Sequence, residues 1–235
     1  MFTTAHFIWL LAIAVAIVVA SVLLKKFKVS HAVVQKTVCI VLIILKIFHL
    51  SLSMKESPHG GMIIDQTQLS FHLCSLMIYA AILINVIKNE KFVKTAKSFM
   101  VPCMLIGALM ALLIPTEGVD VIKPRVWQYM LIHGVLVFYG FYLGLIERVD
   151  MSFKVYLTNL KLLMGVTMLA FLMNSVLEEY GTNYLFLRQP PMEGLPILNL
   201  NNGWYVYFVS LALVACALLF LVHLPFIIRD ASKKK

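Results

Sequence analysis

The sequence predicts an all-α polytopic membrane protein: seven transmembrane helices, with the N-terminus outside and the C-terminus cytoplasmic. Three observations predict it. First, AVILMFWYC residues make up 61% of the 235-residue chain and charged residues only 13%, where a soluble domain holds roughly half and a quarter. Second, seven apolar runs fall at about 6–24, 32–52, 69–87, 98–115, 128–146, 155–177 and 204–228, each near the ~20 residues that a ~30 Å hydrocarbon core demands of a helix. Third, the basic residues of the connections are strongly one-sided. The composition excludes a cytosolic globule, a disordered chain and a disulfide-stapled secreted domain, and it leaves no room for a soluble domain beside the spans. Residues 1–235 are read as one transmembrane domain.

The runs are helices because a bilayer cannot satisfy open backbone groups and the runs are too long for barrel strands. The first run is expected to stay in the protein: Met1 to His6 carries no Lys or Arg, and no small-residue cleavage site precedes Lys25 and Lys26. Alternate connections carry Lys25, Lys26 and Lys28, then Lys88, Lys91, Lys94 and Lys97, then Arg148 and Lys154, then Arg229, Lys233, Lys234 and Lys235. The opposite side has Lys55, Lys123, Arg125 and Arg188, thirteen against four. The basic side faces the cytoplasm, and a multi-pass cell-membrane location follows. The longest connection, 178–203, is then extracytoplasmic, and its Gly181, Gly194, Gly203, Pro190, Pro191 and Pro196 read as turns. The net charge of +9 fits loops facing anionic lipid; no basic domain exists to carry nucleic acid.

Polar residues inside the spans cost ~2.5–3.5 kcal/mol each on insertion scales, so their depth is informative. Lys46 and His49 share a face near the outer end of the second run. His72 and Cys74 lie ~6–9 Å below the outer boundary at 1.5 Å per residue. His133 in the fifth run reaches a similar depth, and Asn174 closes the sixth. Several helices thus aim polar groups at one outer level, as a membrane-embedded site would. Each residue also has a plainer reading. Cys74 is acceptable as a small buried hydrophobe, His133 as an inter-helix hydrogen bond, and Lys46 as a snorkelling surface charge. His72 and Cys74 are separated by ~200° on a continuous helix, so His72 is a poor base for that thiol, whereas His133 is not. His6, His31 and His59 read as loop or boundary residues and His223 as interfacial. Cys39, Cys103 and Cys216 are read as small buried hydrophobes. No C-x-x-C, H-E-x-x-H, P-loop or dinucleotide fingerprint appears, so no metal and no cofactor is expected.

Three stretches carry a family resemblance: Phe71-His72-Leu73-Cys74, Trp127 to Gly134 with His133, and Asn174 followed by Gly181-Thr182-Asn183-Tyr184-Leu185-Phe186-Leu187. Together they resemble the YwaF-like bacterial integral membrane proteins, seven-span chains similar to the eukaryotic transmembrane protein 164 acyltransferases. In those acyltransferases a His-Pro-Cys-His segment carries the nucleophile. The matching segment here is His72-Leu73-Cys74-Ser75, which keeps the first His and the Cys and has Ser75 in place of the second His. Ser70 and Asn201-Asn202-Gly203 depart from the YwaF-like pattern, which has a Pro and a Gly-Pro-Trp-Pro segment there. The resemblance implies a membrane-embedded, cysteine-dependent acyltransferase or transacylase acting on glycerophospholipid acyl chains at the outer leaflet. Cys74 would be the nucleophile and His133 its base. Lys46 or His72 would hold the lipid phosphate, and Asn174, Thr182 or Asn183 would support the oxyanion or orient His133. The partners are then phospholipid or lysophospholipid, with the oligomeric state open. The alternatives are a non-enzymatic lipid or small-solute binding or transport protein using the same pocket, and a scaffold in which the polar groups only fix packing.

Overall fold

The computed structural model describes residues 3–56, 60–192 and 194–232, with the side chains of 230 and 231 excepted. His59 and the basic Lys233, Lys234 and Lys235 lie outside the described residues. The chain folds as α1 (Thr4–Lys26), α2 (His31–Leu52), a hairpin of β1 (Met54–Glu56) and β2 (Met62–Ile64), α3 (Leu73–Val86), α4 (Glu90–Leu113), α5 (Pro124–Phe141), α6 (Phe153–Val176) and α7 (Trp204–Ser232). Local chemistry starts several of these helices. Thr3, Ser30 and Asn89 accept the N–H of His6, Val33 and Phe92 from N-cap positions. Pro124 opens α5, where its missing N–H costs nothing. At its other end α5 runs into a π-helical turn over Tyr142–Glu147, which Arg148 closes in a left-handed conformation.

Among the described residues, six helices are long and apolar enough to cross a membrane: α1, α2, α4, α5 with its π turn, α6 and α7. This is a multi-pass integral membrane protein. The third apolar run behaves differently from the expectation. Its helix holds only 14 residues, or ~21 Å at 1.5 Å per residue, short of a full crossing. The reason lies upstream. Asp65 caps a 3-10 turn at Gln66–Gln68, Leu69 is extended, and His72 is still extended (φ −74°, ψ 149°), so the helix begins at Leu73.

Burial ranks the helices. Half of the apolar window of α4 and 61% of that of α5 are buried, against 6% for α1 and 11% for α6. α2, α3, α4 and α5 pack in a closed ring, each on the next, with α1 outside on α5 and α6 and α7 outside on α4. The exposed faces of α1 and α6 carry Phe7, Leu11, Val15 and Val22, and Met164, Met168 and Leu172, which is appropriate to lipid.

Two histidines depart from their expected surroundings. His6 and His223 are fully buried. His6 Nε2 donates to the Leu112 carbonyl of α4 at 2.8 Å, and His223 bonds Asn159 and Met151. His31 Nδ1 lies 2.6 Å from the Tyr142 hydroxyl. Each follows from packing against a helix distant in sequence, which boundary position alone does not reveal.

Asp65 ties the hairpin to the start of α3. It accepts from Thr67 N (3.0 Å) and Oγ1 (2.9 Å) and pairs with Lys55 at 3.2 Å. Partial burial works against the charge, but the Thr67 bonds and Lys55 prevail and hold the carboxyl below its usual range. Asp65→Ala is expected to cost about 1 kcal/mol in thermal unfolding at neutral pH. Because the folded pKa is depressed, this contribution is complete above the unfolded value of ~3.9 and fades as pH falls through the lower folded value. The difference in Tm between wild type and Asp65→Ala should therefore shrink below about pH 4.

Candidate functional site

The late start of α3 rearranges the His-x-Cys segment. His72 is the N-cap and contributes no side-chain capping bond, while Cys74 is the second helical residue. The rotation argument that separates the two on a continuous helix therefore does not apply. The first-turn N–H groups of Leu73, Cys74 and Ser75 have no intrahelical acceptor, and the helix presents partial positive charge there. This helix end sits at the rim of the four-helix ring, and each ring helix sends a residue to it.

From α2 comes Lys46, only 6% exposed. Its Nζ reaches Ser75 Oγ at 3.5 Å, and no carboxylate among the described residues pairs with it. His49, one turn on, lies 3.4 Å from Gln128 Oε1 of α5 and 3.5 Å from the Gln68 carbonyl. Lys46, His49 and His72 are electrostatic neighbours of one another, and His49 and His72 are neighbours of His133. These polar groups thus converge on one cluster.

α5 supplies His133 and Tyr129, one turn apart, with ring centroids 4.3 Å apart. His133 Nδ1 lies 2.7 Å from the Tyr129 carbonyl. A carbonyl only accepts, so Nδ1 carries the proton and the neutral ring keeps its lone pair at Nε2. That tautomer is the one a general base needs. Tyr129 is also an electrostatic neighbour of Cys74 and donates its hydroxyl to the Ala111 carbonyl of α4 at 3.0 Å. Cys74 and His133 therefore share Tyr129 as a neighbour, and no hydrogen bond joins Cys74 Sγ to His133.

α4 closes the site with a glycine. A Cβ at Gly107 would stand 3.2 Å from Cys74 Sγ, tighter than ordinary carbon–sulfur contact, so a bare Cα lets α4 lie against the thiol. Cys103, one turn earlier, is an electrostatic neighbour of Cys74. All four cysteines are free thiols.

The loop after α6 covers His72. The His72 ring packs 5.4 Å from Tyr184 and 5.5 Å from Phe186, centroid to centroid. Leu185 and Phe186 both have positive φ, 54° and 56°, a conformation costing ~1–3 kcal/mol per non-glycine residue. Several bonds hold it. Asn174 accepts from Tyr184 N at 2.7 Å and donates to Tyr184 O at 3.0 Å. Asn183 accepts from Arg188 N and donates to Gln189 O, and Thr182 donates to Leu177 O. Tyr207 donates to Phe186 O, Trp204 Nε1 to Leu187 O, and Tyr184 to Gln66 O. Burial, then the Asp65 carboxylate, pushes the Tyr184 phenol up to about 12, so it stays a donor.

The structure therefore brings Lys46, His72, Cys74 and His133 into one neighbourhood. It commits the hydrogen-bonding groups of Asn174, Thr182 and Asn183 to the loop that packs on His72. Sequence reasoning missed Tyr129, Gln128, Gly107, Tyr184 and Phe186 as site residues. Tyr129 had a signal, since it lies four residues before His133 on one helix face. Gly107 had none, because its contact appears only when α4 meets α3. Removing the Asn174 amide leaves the Tyr184 N–H unpaired and its carbonyl with only the Leu187 N–H, at 3.3 Å. Asn174→Ala should cost about 2 kcal/mol or more in thermal unfolding and speed proteolysis within 181–187; unchanged stability and cleavage would contradict the clamp.

The TMEM164 family model matches residues 1–223. No curated protein and no solved structure matches the chain significantly. With the match spanning nearly all of its 235 residues, the chain belongs to the TMEM164 family.

Proposed function

We propose that this protein is a membrane-embedded, cysteine-dependent acyltransferase or transacylase that moves glycerophospholipid acyl chains at the outer leaflet. The observation that carries this reading is the setting of Cys74. The thiol stands in the first turn of a helix that begins beside a buried lysine without a carboxylate, with three histidines nearby. Cationic neighbours and a helix N-terminus stabilise a thiolate, and a base-form imidazole can generate it. The topology that suits this function has the N-terminus outside. α3, with the turn and extended residues before it, makes the third of seven passages, and the site then opens toward the outer leaflet.

The chemistry follows from these residues. His133 Nε2 takes the Cys74 proton. The thiolate attacks the ester carbonyl of a phospholipid, and the oxyanion that forms is stabilised by the first-turn N–H groups of α3 and by Lys46. The carbon–oxygen bond breaks, and the lysolipid oxygen leaves with the proton returned by the His133 imidazolium. This leaves an acyl thioester on Cys74. An acceptor hydroxyl gives its proton to His133 and attacks the thioester carbonyl, and the Cys74 sulfur leaves. No metal or cofactor enters the scheme. His72, pressed between Tyr184 and Phe186, faces the phosphate end of the lipid, and Asn174, Thr182 and Asn183 act by holding that loop.

A second reading is favoured by one observation. A helix that starts part-way along its passage, beside an uncompensated lysine, also marks solute sites in transporters. Such a protein would bind a lipid or small anion at Lys46 without covalent chemistry.

Purified protein in nanodiscs with acyl-labelled phospholipid and an unlabelled lysolipid acceptor separates these readings. Wild type should transfer label and carry it transiently as a hydroxylamine-sensitive adduct, and Cys74→Ser should do neither. His133→Gln should slow transfer by about 10²–10⁴-fold. Transfer unchanged in Cys74→Ser overturns the covalent scheme, and solute flux surviving in that variant supports the second reading.

Gly107→Ala should push the thiol out of line and lower the transfer rate at least tenfold. Gly165→Ala on α6, where nothing lies within 4 Å of the new Cβ, should leave the rate unchanged and stabilise the helix by about 0.5–1 kcal/mol. Equal rates for the two variants would contradict the contact between α4 and Cys74.

A further inference from the structure

A second polar site lies at the other end of the bundle. A cavity of about 650 Å³ opens between the start of α4, the π turn of α5 and the start of α6. That volume is within the range of small-molecule sites. Its wall holds two buried acceptors that nothing satisfies: Asn159 Oδ1 and Glu147 Oε2. Asn159 is fully buried, and its orientation is fixed by its neighbours. His223 Nδ1 lies 3.0 Å from the Met151 carbonyl, so Nδ1 donates and Nε2 accepts. Asn159 Nδ2 then donates to His223 Nε2 at 3.1 Å and to the Ser98 carbonyl at 3.0 Å. Both amide hydrogens are used, and turning the amide over would set its oxygen against two acceptors. The oxygen is therefore held without a donor. Glu147 gives its other oxygen, Oε1, to Lys97 at 2.6 Å.

A buried acceptor left unpaired costs about 1–3 kcal/mol, so two of them on one wall call for a ligand rich in N–H or O–H donors. The charged lining sets the rest of the ligand. Three lysines (Lys88, Lys94, Lys97) face three carboxylates (Glu90, Glu147, Asp150), a lining of zero net charge. The Lys97–Glu147 pair is largely buried, whereas Glu90 and Lys94 are 86% and 80% exposed, and Lys88 is exposed on the rim. The unsatisfied acceptors lie at the wall; at the mouth Lys94 pairs with Glu90, and Lys88 stands on the rim.

We infer that this cavity binds a zwitterion carrying a primary ammonium and a phosphate, with the ammonium turned to Asn159 and Glu147 and the phosphate to Lys88 at the rim. A primary ammonium offers three N–H donors and a trimethylammonium none, so the site discriminates between them. The same chemistry is presented by an aminoalkyl-phosphate lipid headgroup and by its free soluble form.

The test uses the full-length Cys74→Ala protein, so that acyl transfer cannot contribute. Thermal stability is measured with phosphoethanolamine, phosphocholine, ethanolamine and glycerol phosphate, and in nanodiscs doped with phosphatidylethanolamine or phosphatidylcholine. The ethanolamine phosphate, as lipid or free compound, should raise Tm, and its choline counterpart should not. A response to the lipid alone identifies a headgroup site, and a response to the free compound as well identifies a soluble ligand. Asn159→Leu should abolish the shift, and the exposed Lys88→Glu, which spares the buried network, should weaken binding at least tenfold. Equal shifts with choline and ethanolamine compounds, a shift insensitive to Lys88→Glu, or no shift with any probe would overturn the inference and leave the cavity to water.

Discussion

The arrangement depends on a lysine that has no carboxylate partner among the described residues. Lys46 is almost wholly buried at the rim of the α2–α3–α4–α5 ring, with a single long contact to Ser75. Taking such a charge out of water is costly, and removing its counter-charge is costlier still. The surrounding structure shares the burden. The Asp65-capped turn delays the start of α3 to Leu73, Ser75 Oγ lies 3.5 Å from Lys46 Nζ, and Gln128 bonds the neighbouring His49. A site so built favours any ligand or transition state that brings negative charge to it.

The loop after α6 is the second constraint. Two consecutive non-glycine residues with positive φ are tolerated because α6, α7 and the segment before α3 each bond the loop at a separate point. Its product is a fixed aromatic wall on His72. The two ends of the molecule follow one logic: buried polar groups are fixed by neighbours distant in sequence, and atoms left over mark places where something else binds. At one end that remainder is a cation, at the other a pair of acceptors.

Much of this was legible in the sequence. The apolar runs locate six of the seven helices to within a few residues at most of their ends, apart from α4, whose basic first two turns lie outside the apolar run. The depth argument brought Lys46, His49, His72, Cys74 and His133 to one level, and the packing of four helices does the same. The break before Leu73 was not legible, because Leu69 and Phe71 carry the apolar run straight into the helix that follows. What makes them non-helical is Asp65 and the turn it caps. Asn174, Thr182 and Asn183 bond the backbone of the loop and of its approach, which the sequence does not show, since an amide reads the same whether it faces a ligand or a backbone carbonyl. His223 reads as interfacial because it is close to a boundary; only its pairing with Asn159 across α6 and α7 buries it.

The central claim is that the imidazole of α5 governs the thiol of α3. The rate of Cys74 alkylation by a membrane-permeant iodoacetamide, followed by mass spectrometry from pH 6 to 10 in wild type and His133→Asn, tests it directly. The account predicts that wild-type Cys74 reacts far faster than Cys39, Cys103 or Cys216 near neutral pH, and that His133→Asn removes at least tenfold of that advantage. Identical alkylation profiles in the two proteins would contradict it.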